Sequence, residues 1–121
     1  SDFAHVLRQH GELDEALTIY NDVLPKWRDL GHRAAVAHVL ECIAFILVRN
    51  EEPERAVNLL GAAEALREAI DSQMTSTEQE EYKKEISELR ELLGEAEYKK
   101  QWDKGRKMTM DEAIELALAG E

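Results

Sequence analysis

The stretch AAVAHVLECIAFILV, from Ala34 to Val48, is the most apolar in the chain and is broken only by His38 and Glu41. It is shorter than the roughly 20 apolar residues that a membrane-spanning helix needs. Its apolar side chains are spread all round the helix instead of along one stripe, which predicts a helix covered by neighbours on several sides. This helix is expected to run from about His32 to Arg49 and to be the hub of the domain. Only two prolines occur, and Ala, Leu, Glu and Lys are abundant. Helix is therefore favoured nearly everywhere else as well.

On the N-terminal side, a helix from about Leu13 to Leu30 places Ala16, Leu17, Tyr20, Val23, Leu24 and Trp27 on one face. Pro25 lies inside it and is expected to kink it through its missing N–H, and Gly31 closes it. Before it, Asp2 to His10 is amphipathic through Phe3, Val6 and Leu7, and Gly11 ends the segment. On the C-terminal side, Asn50-Glu51-Glu52 makes a turn, and Pro53 suits the first position of a helix continuing to about Asp71. Ser72 to Thr77 reads as a polar linker. Thr77 with Glu80 has capping-box spacing and opens an acidic helix ending at Leu93. Its apolar residues Tyr82, Ile86, Leu89, Leu93 and Ala96 form a narrow stripe suited to packing on one side. Gly94 and Gly105 bracket a short helix with Tyr98 and Trp102. Thr109, with Glu112 three residues on, caps a last helix ending near Gly120.

A shift of 40 residues lays the first helix pair on the second: Phe3 on Ile43, Ala4 on Ala44, Leu7 on Leu47, Ala16 on Ala56, Tyr20 on Leu60. The paired alanines permit close approach of two helices across a tight turn. Paired helices repeating at this length signal a helical-repeat array. Gly11-Glu12-Leu13-Asp14-Glu15-Ala16, with Tyr20 and Val23 beyond, resembles the second half of a tetratricopeptide repeat. Asn50-Glu51-Glu52-Pro53-Glu54-Arg55-Ala56 resembles the same element with Glu51 in place of the glycine, and the 40-residue spacing exceeds the family's 34. Residues 55–67 and 105–118 together resemble the C-terminal region of bacterial signal-transduction ATPases, including LuxR-type transcriptional regulators. The fold that these resemblances imply is all-α: antiparallel hairpins in a right-handed tetratricopeptide-like superhelix. It divides into a truncated repeat over 1–31, a second repeat over 32–72 and capping helices over 77–121. The function implied is a non-catalytic interaction or sensor module of a larger regulator.

The 26 acids and 15 bases give a formal net charge of -11. Such a surface repels phosphate backbones and anionic membranes, so neither nucleic acid nor a membrane is expected as a partner. The basic residues Lys99, Lys100, Lys104, Arg106 and Lys107 beside Trp102 read as helix-end charge complementing the dipole. Cys42 is the sole cysteine, which fits a reducing, cytoplasmic setting. His38 and Cys42 share a helix face, with Glu41 and His32 near in sequence. No CxxC, HExxH or second cluster accompanies them, and no residue is evident that would orient His38 as a base. No phosphate-binding loop occurs. The expectation is therefore no catalytic or metal site and no cofactor.

In tetratricopeptide arrays the first helix of each pair lines a concave groove. By resemblance, the groove residues here are His38, Glu41, Phe45, Val48 and Arg49 on the third helix and His5, Arg8 and Gln9 on the first. An aromatic anchor flanked by charge suits a peptide or protein partner, including other domains of a parent chain. Two alternatives accompany this expectation. The C-terminal helices fold back with Tyr82, Tyr98 and Trp102 over Phe45, Ile46 and Val48, making a structural cap. Alternatively, the N-terminal face with Phe3, Val6 and Leu7 pairs with itself in a homodimer.

Overall fold

The computed structural model describes residues 2–119. They form seven helices: α1 (Asp2–Gln9), α2 (Leu13–Asp29), α3 (Arg33–Arg49), α4 (Pro53–Ile70), α5 (Ser76–Leu93), α6 (Glu95–Arg106) and α7 (Met110–Leu118). The expected Gly120 terminus of the last helix lies outside the described residues; α7 gives way at Ala119. Among the described residues, no helix is long and apolar enough to cross a membrane.

Each of the first four helices ends in a turn of one design. Gly11, Gly31, Glu51 and Asp71 follow one another at intervals of 20 residues, and all have positive φ, at 82°, 71°, 61° and 53°. One residue later the backbone N–H reaches back over the turn: Glu12 to Leu7 O, His32 to Trp27 O, Glu52 to Leu47 O and Ser72 to Arg67 O, at 2.8–3.0 Å. This left-handed closure satisfies carbonyls that the helix end leaves open. The 40-residue repeat is thus two strokes of a 20-residue unit. Glu51, the departure from the tetratricopeptide glycine, adopts the glycine's conformation. Pro25 lies within the continuous helix α2.

α1 to α4 pack each against the next. The core runs through Ala4, Ala16, Tyr20 and Leu24 to α3, where every residue from Val39 to Val48 is buried. Covering on all sides is what the all-round apolarity of α3 predicts. Beyond α4 the sequence of neighbours changes. α6, not α5, packs most extensively on α4, and α7 folds back onto α2, α3 and α4.

The cause lies in two glycines. A Cβ on Gly105 would stand 2.1 Å from Asn58 O, and one on Gly61 2.6 Å from Trp102 O. The two backbones touch, and no other residue type leaves room for that. Gly105 therefore lies at the crossing in the last turn of α6, one residue before the helix ends. Beside it, buried Asn58 donates from Nδ2 to Gln101 O (2.9 Å) and Gln101 Oε1 (3.0 Å). Tyr98 and Trp102 stack on each other 5.8 Å apart. Farther along α4, the Arg55 guanidinium donates to Leu116 O, Ala117 O and Ala119 O, capping α7. A cation at a helix C-terminus is favourably placed against its dipole.

Both capping boxes close, with one shifted. Thr109 and Glu112 exchange bonds as expected. The box opening α5 is Thr75 with Glu78, two residues before the expected Thr77 and Glu80. Lys99 pairs with Asp103, and Arg106 is held by Glu64 (2.6 Å) and Glu68 (2.7 Å), so these parts of the basic patch are engaged within the fold.

Gly105→Ala forces an overpacked backbone crossing and is expected to lower stability by roughly 2–3 kcal/mol in urea melts. Glu51→Gly should raise stability by about 1 kcal/mol in the same assay, because an L residue in the left-handed region carries a penalty of that order.

Candidate functional site, a charged groove between α1, α3 and α5

α5 lies across α1 and α3 at the length of extended side chains, leaving a groove of about 580 Å³. His5, Arg8 and Gln9 of α1, Leu13, and Phe45 and Arg49 of α3 form one side. Thr77, Glu80, Glu81, Lys84 and Glu85 of α5 form the other. The floor is the Phe45 ring, 7% exposed, with the Arg8 guanidinium 5.3 Å above its centre. Such cation–ring stacking is favourable, the more so when desolvated.

Arg8 has a side chain only 8% exposed, yet it stays charged. Burial is the largest influence and opposes the charge; the Glu81 hydrogen bond and the other neighbouring groups together outweigh it. Nη1 and Nη2 donate to the two Glu81 oxygens at 2.5 and 3.0 Å, and Nη2 also approaches His5 Nδ1 at 3.2 Å. Arg49 is half-exposed and holds Glu85 through Nη2 (2.6 Å to Oε2) and Glu88 at 3.0 Å. Glu85 is itself buried on α5. Five of the eight residues expected in the groove line it, His5, Arg8, Gln9, Phe45 and Arg49; Arg8 and Arg49 pair with carboxylates of the facing helix, and Gln9 stands exposed on the rim.

Three expected residues, Val48, Glu41 and His38, do not line the open groove. Val48 is 5% exposed and belongs to the core, because α3 turns that face inward. Glu41 is 3% exposed and fixed by Arg67 of α4, whose Nε and Nη2 donate at 2.7 and 2.9 Å. Burial raises the Glu41 carboxyl above its ordinary range, and the Arg67 bonds oppose that. The pair ties α3 to α4. Tyr98 and Trp102 do not cover Phe45; they lie on α6 against α4, while Tyr82 alone of the three reaches the Phe45 side.

His38 sits behind the groove, on a small inner cavity of about 50 Å³ shared with Cys42, Met74, Glu78 and Tyr82. Its Nδ1 is 3.0 Å from Glu78 Oε2 and its Nε2 is 3.6 Å from Cys42 Sγ. Glu78 thus supplies the orienting group that sequence reading missed. Its other oxygen accepts the Thr75 N–H and closes the α5 capping box. Burial lowers the His38 pKa against the opposing pull of Glu78. A neutral ring must then carry its proton on Nδ1, since the carboxylate only accepts, leaving Nε2 to accept from the thiol. The order carboxylate–imidazole–thiol is that of a nucleophilic triad, but its chemistry is not. Cys42 is 1% exposed, and burial pushes its thiol up to about 11. A nucleophilic cysteine needs thiolate character and access. Among the described residues, no group of three or more His, Cys, Asp and Glu is arranged to hold a metal.

The Arg8 hydrogen bonds hold the Glu81 carboxyl below its usual range, chiefly through the direct bond and against the effect of burial. A carboxylate depressed in the folded state stabilises above its unfolded pKa and loses that contribution as pH falls through the folded value. Stability should therefore drop between about pH 5 and about pH 3, and Glu81→Gln should flatten part of that drop in pH-dependent urea melts. An unchanged acid slope in the variant would remove Glu81 from the account. No protein-family model, curated protein or solved structure matches the chain.

Proposed function

We propose that this chain is a non-catalytic interaction module, tetratricopeptide-like in build, that serves a larger bacterial regulatory protein by holding a protein or peptide partner. The observation that carries the reading is the groove itself. An aromatic floor under a buried guanidinium, with His5, Gln9, Arg49 and Lys84 at the rim, offers an apolar anchor within a frame of directional polar groups. Recognition surfaces combine these elements, with arginine and aromatics enriched at their centres. The 20-residue phasing of the four left-handed turns supports the tetratricopeptide-like build, and the displaced α5 is its main departure. The inaccessible thiol favours binding over catalysis at His38 and Cys42.

A second reading, self-association, has one observation in its favour. Phe3 is 65% and Val6 50% exposed on the outer side of α1. Sedimentation of the chain beside Phe3→Glu/Val6→Glu separates the two readings, since a dimer lost only in the variant would assign that face to self-association.

Selection of a displayed peptide library on the whole chain tests the groove. Enriched ligands should lose about tenfold in affinity, or about 1.4 kcal/mol, on the triple rim variant His5→Ala/Gln9→Ala/Lys84→Ala. Ligands indifferent to that variant, or no enrichment over bare support, would overturn the reading.

A further inference from the structure

The groove is already partly filled, and what fills it has a readable code. Glu78, Glu81, Glu85 and Glu88 recur at spacings of three, four and three, so they line one side of α5. Three of them meet a cation of α1 or α3, Glu81 at Arg8 and both Glu85 and Glu88 at Arg49, while Glu78 accepts from the His38 ring. The neighbouring stripe of Tyr82, Ile86 and Leu89 turns to the rest of the fold, with Leu89 fully buried. Among the described residues of α5, Glu85 and Leu89 are the buried ones. α3 and α5 meet through extended side chains, not through interlocked backbones as α4 and α6 do. A five-residue segment, residues 71–75, connects α4 to α5, and the two helices also touch each other. α5 is thus held on this side chiefly by ion pairs that are partly exposed and therefore open to competition and screening.

Building on the groove reading above, we infer that α5 is an internal stand-in for the partner, and that the partner is an acidic amphipathic helix of another protein with carboxylates at the spacing of Glu78, Glu81, Glu85 and Glu88. Such a helix replaces the α5 carboxylates one for one on His38, Arg8 and Arg49 while presenting an apolar flank toward Phe45. Helix-in-groove recognition of this kind reads anchors at i, i+3, i+4 and i+7.

The probe is a labelled peptide of residues 75–93, titrated into the whole chain by fluorescence anisotropy. It should bind Glu81→Gln/Glu85→Gln at least tenfold more tightly than the unsubstituted chain, because the internal helix is loosened there. Adding Arg49→Gln should cost about tenfold, and a peptide with its four facing glutamates changed to glutamine should not bind. Equal binding of the acidic and neutral peptides would overturn the inference. So would a dimer of the unsubstituted chain formed by exchange of α5, which would make a second copy the occupant. Hydrogen exchange on the unsubstituted chain gives a readout that needs no variant. At about 0.5 M salt, where screening lengths shrink to a few ångströms, α5 amides should exchange at least tenfold faster while α3 and α4 amides hold. Unchanged α5 protection would overturn the inference. If library ligands use the rim but lack the acidic spacing, this inference fails and the interaction reading stands.

Discussion

Two backbones in contact, at Gly61 and Gly105, set the plan of the C-terminal half. Side-chain packing between helices ordinarily keeps axes 8–10 Å apart, and the glycines bring α4 and α6 closer than that range favours. Once α6 occupies the surface of α4, α5 has no equivalent seat beside it. α5 is joined to α6 across Gly94 and is carried out over α1 and α3. The groove exists because α5 stands off at side-chain length. A methyl group at position 105 would therefore act on the groove as well as on the crossing, although the two lie on different helices.

The polar groups inside the fold divide by what they secure. Glu41 with Arg67, and Asn58 with Gln101, join elements whose apolar packing is already dense. Each is satisfied bidentately or by paired bonds, as burial demands. The pairs between α5 and α1 or α3 lie on the other side of α5 from its apolar stripe of Tyr82, Ile86 and Leu89, so on that side charge and not apolar packing joins the helices. Glu78 belongs to both worlds: one oxygen caps the start of α5, and the other orients His38 on α3. A single carboxylate thus caps one helix and orients a side chain of another.

Local chemistry made most of the helices legible in the sequence. Pro53, Gly11, Gly31 and the Thr109 box mark boundaries through backbone requirements that a single residue type reveals. The all-round apolar α3 announced its burial. At Glu51 the expected turn forms although the residue is unlike glycine, and the backbone there takes φ 61°. Gly105 lies in the last turn of α6 as its reading as a helix end implied, but it also serves a helix crossing, which is visible only when a second backbone is present. The groove was half legible. Arg8, Phe45 and Arg49 were named by the tetratricopeptide resemblance and line the groove, whereas Val48 and Glu41, named the same way, turn inward because α3 is buried on nearly every side. Glu81 and Glu85 were overlooked because an acidic stripe on a helix reads as a solvated face unless its opposite cations are known.

Arg8 sharpens what the groove can accept. Its side chain is almost fully buried and remains a cation, so it must have a carboxylate beside it whether α5 or another group provides one. Removing one member of a buried ion pair costs roughly 3–5 kcal/mol, toward the lower end here because Glu81 is partly exposed. A neutral helix laid against Phe45 would bear that cost in full. An acidic helix avoids it by restoring the pair. The same argument explains why Phe45 alone would be a poor determinant of specificity: its ring accepts any apolar side chain, and the guanidinium above it rejects a ligand that brings no charge. Selectivity in this groove therefore resides in the buried cation, and the aromatic floor adds contact without choosing among ligands.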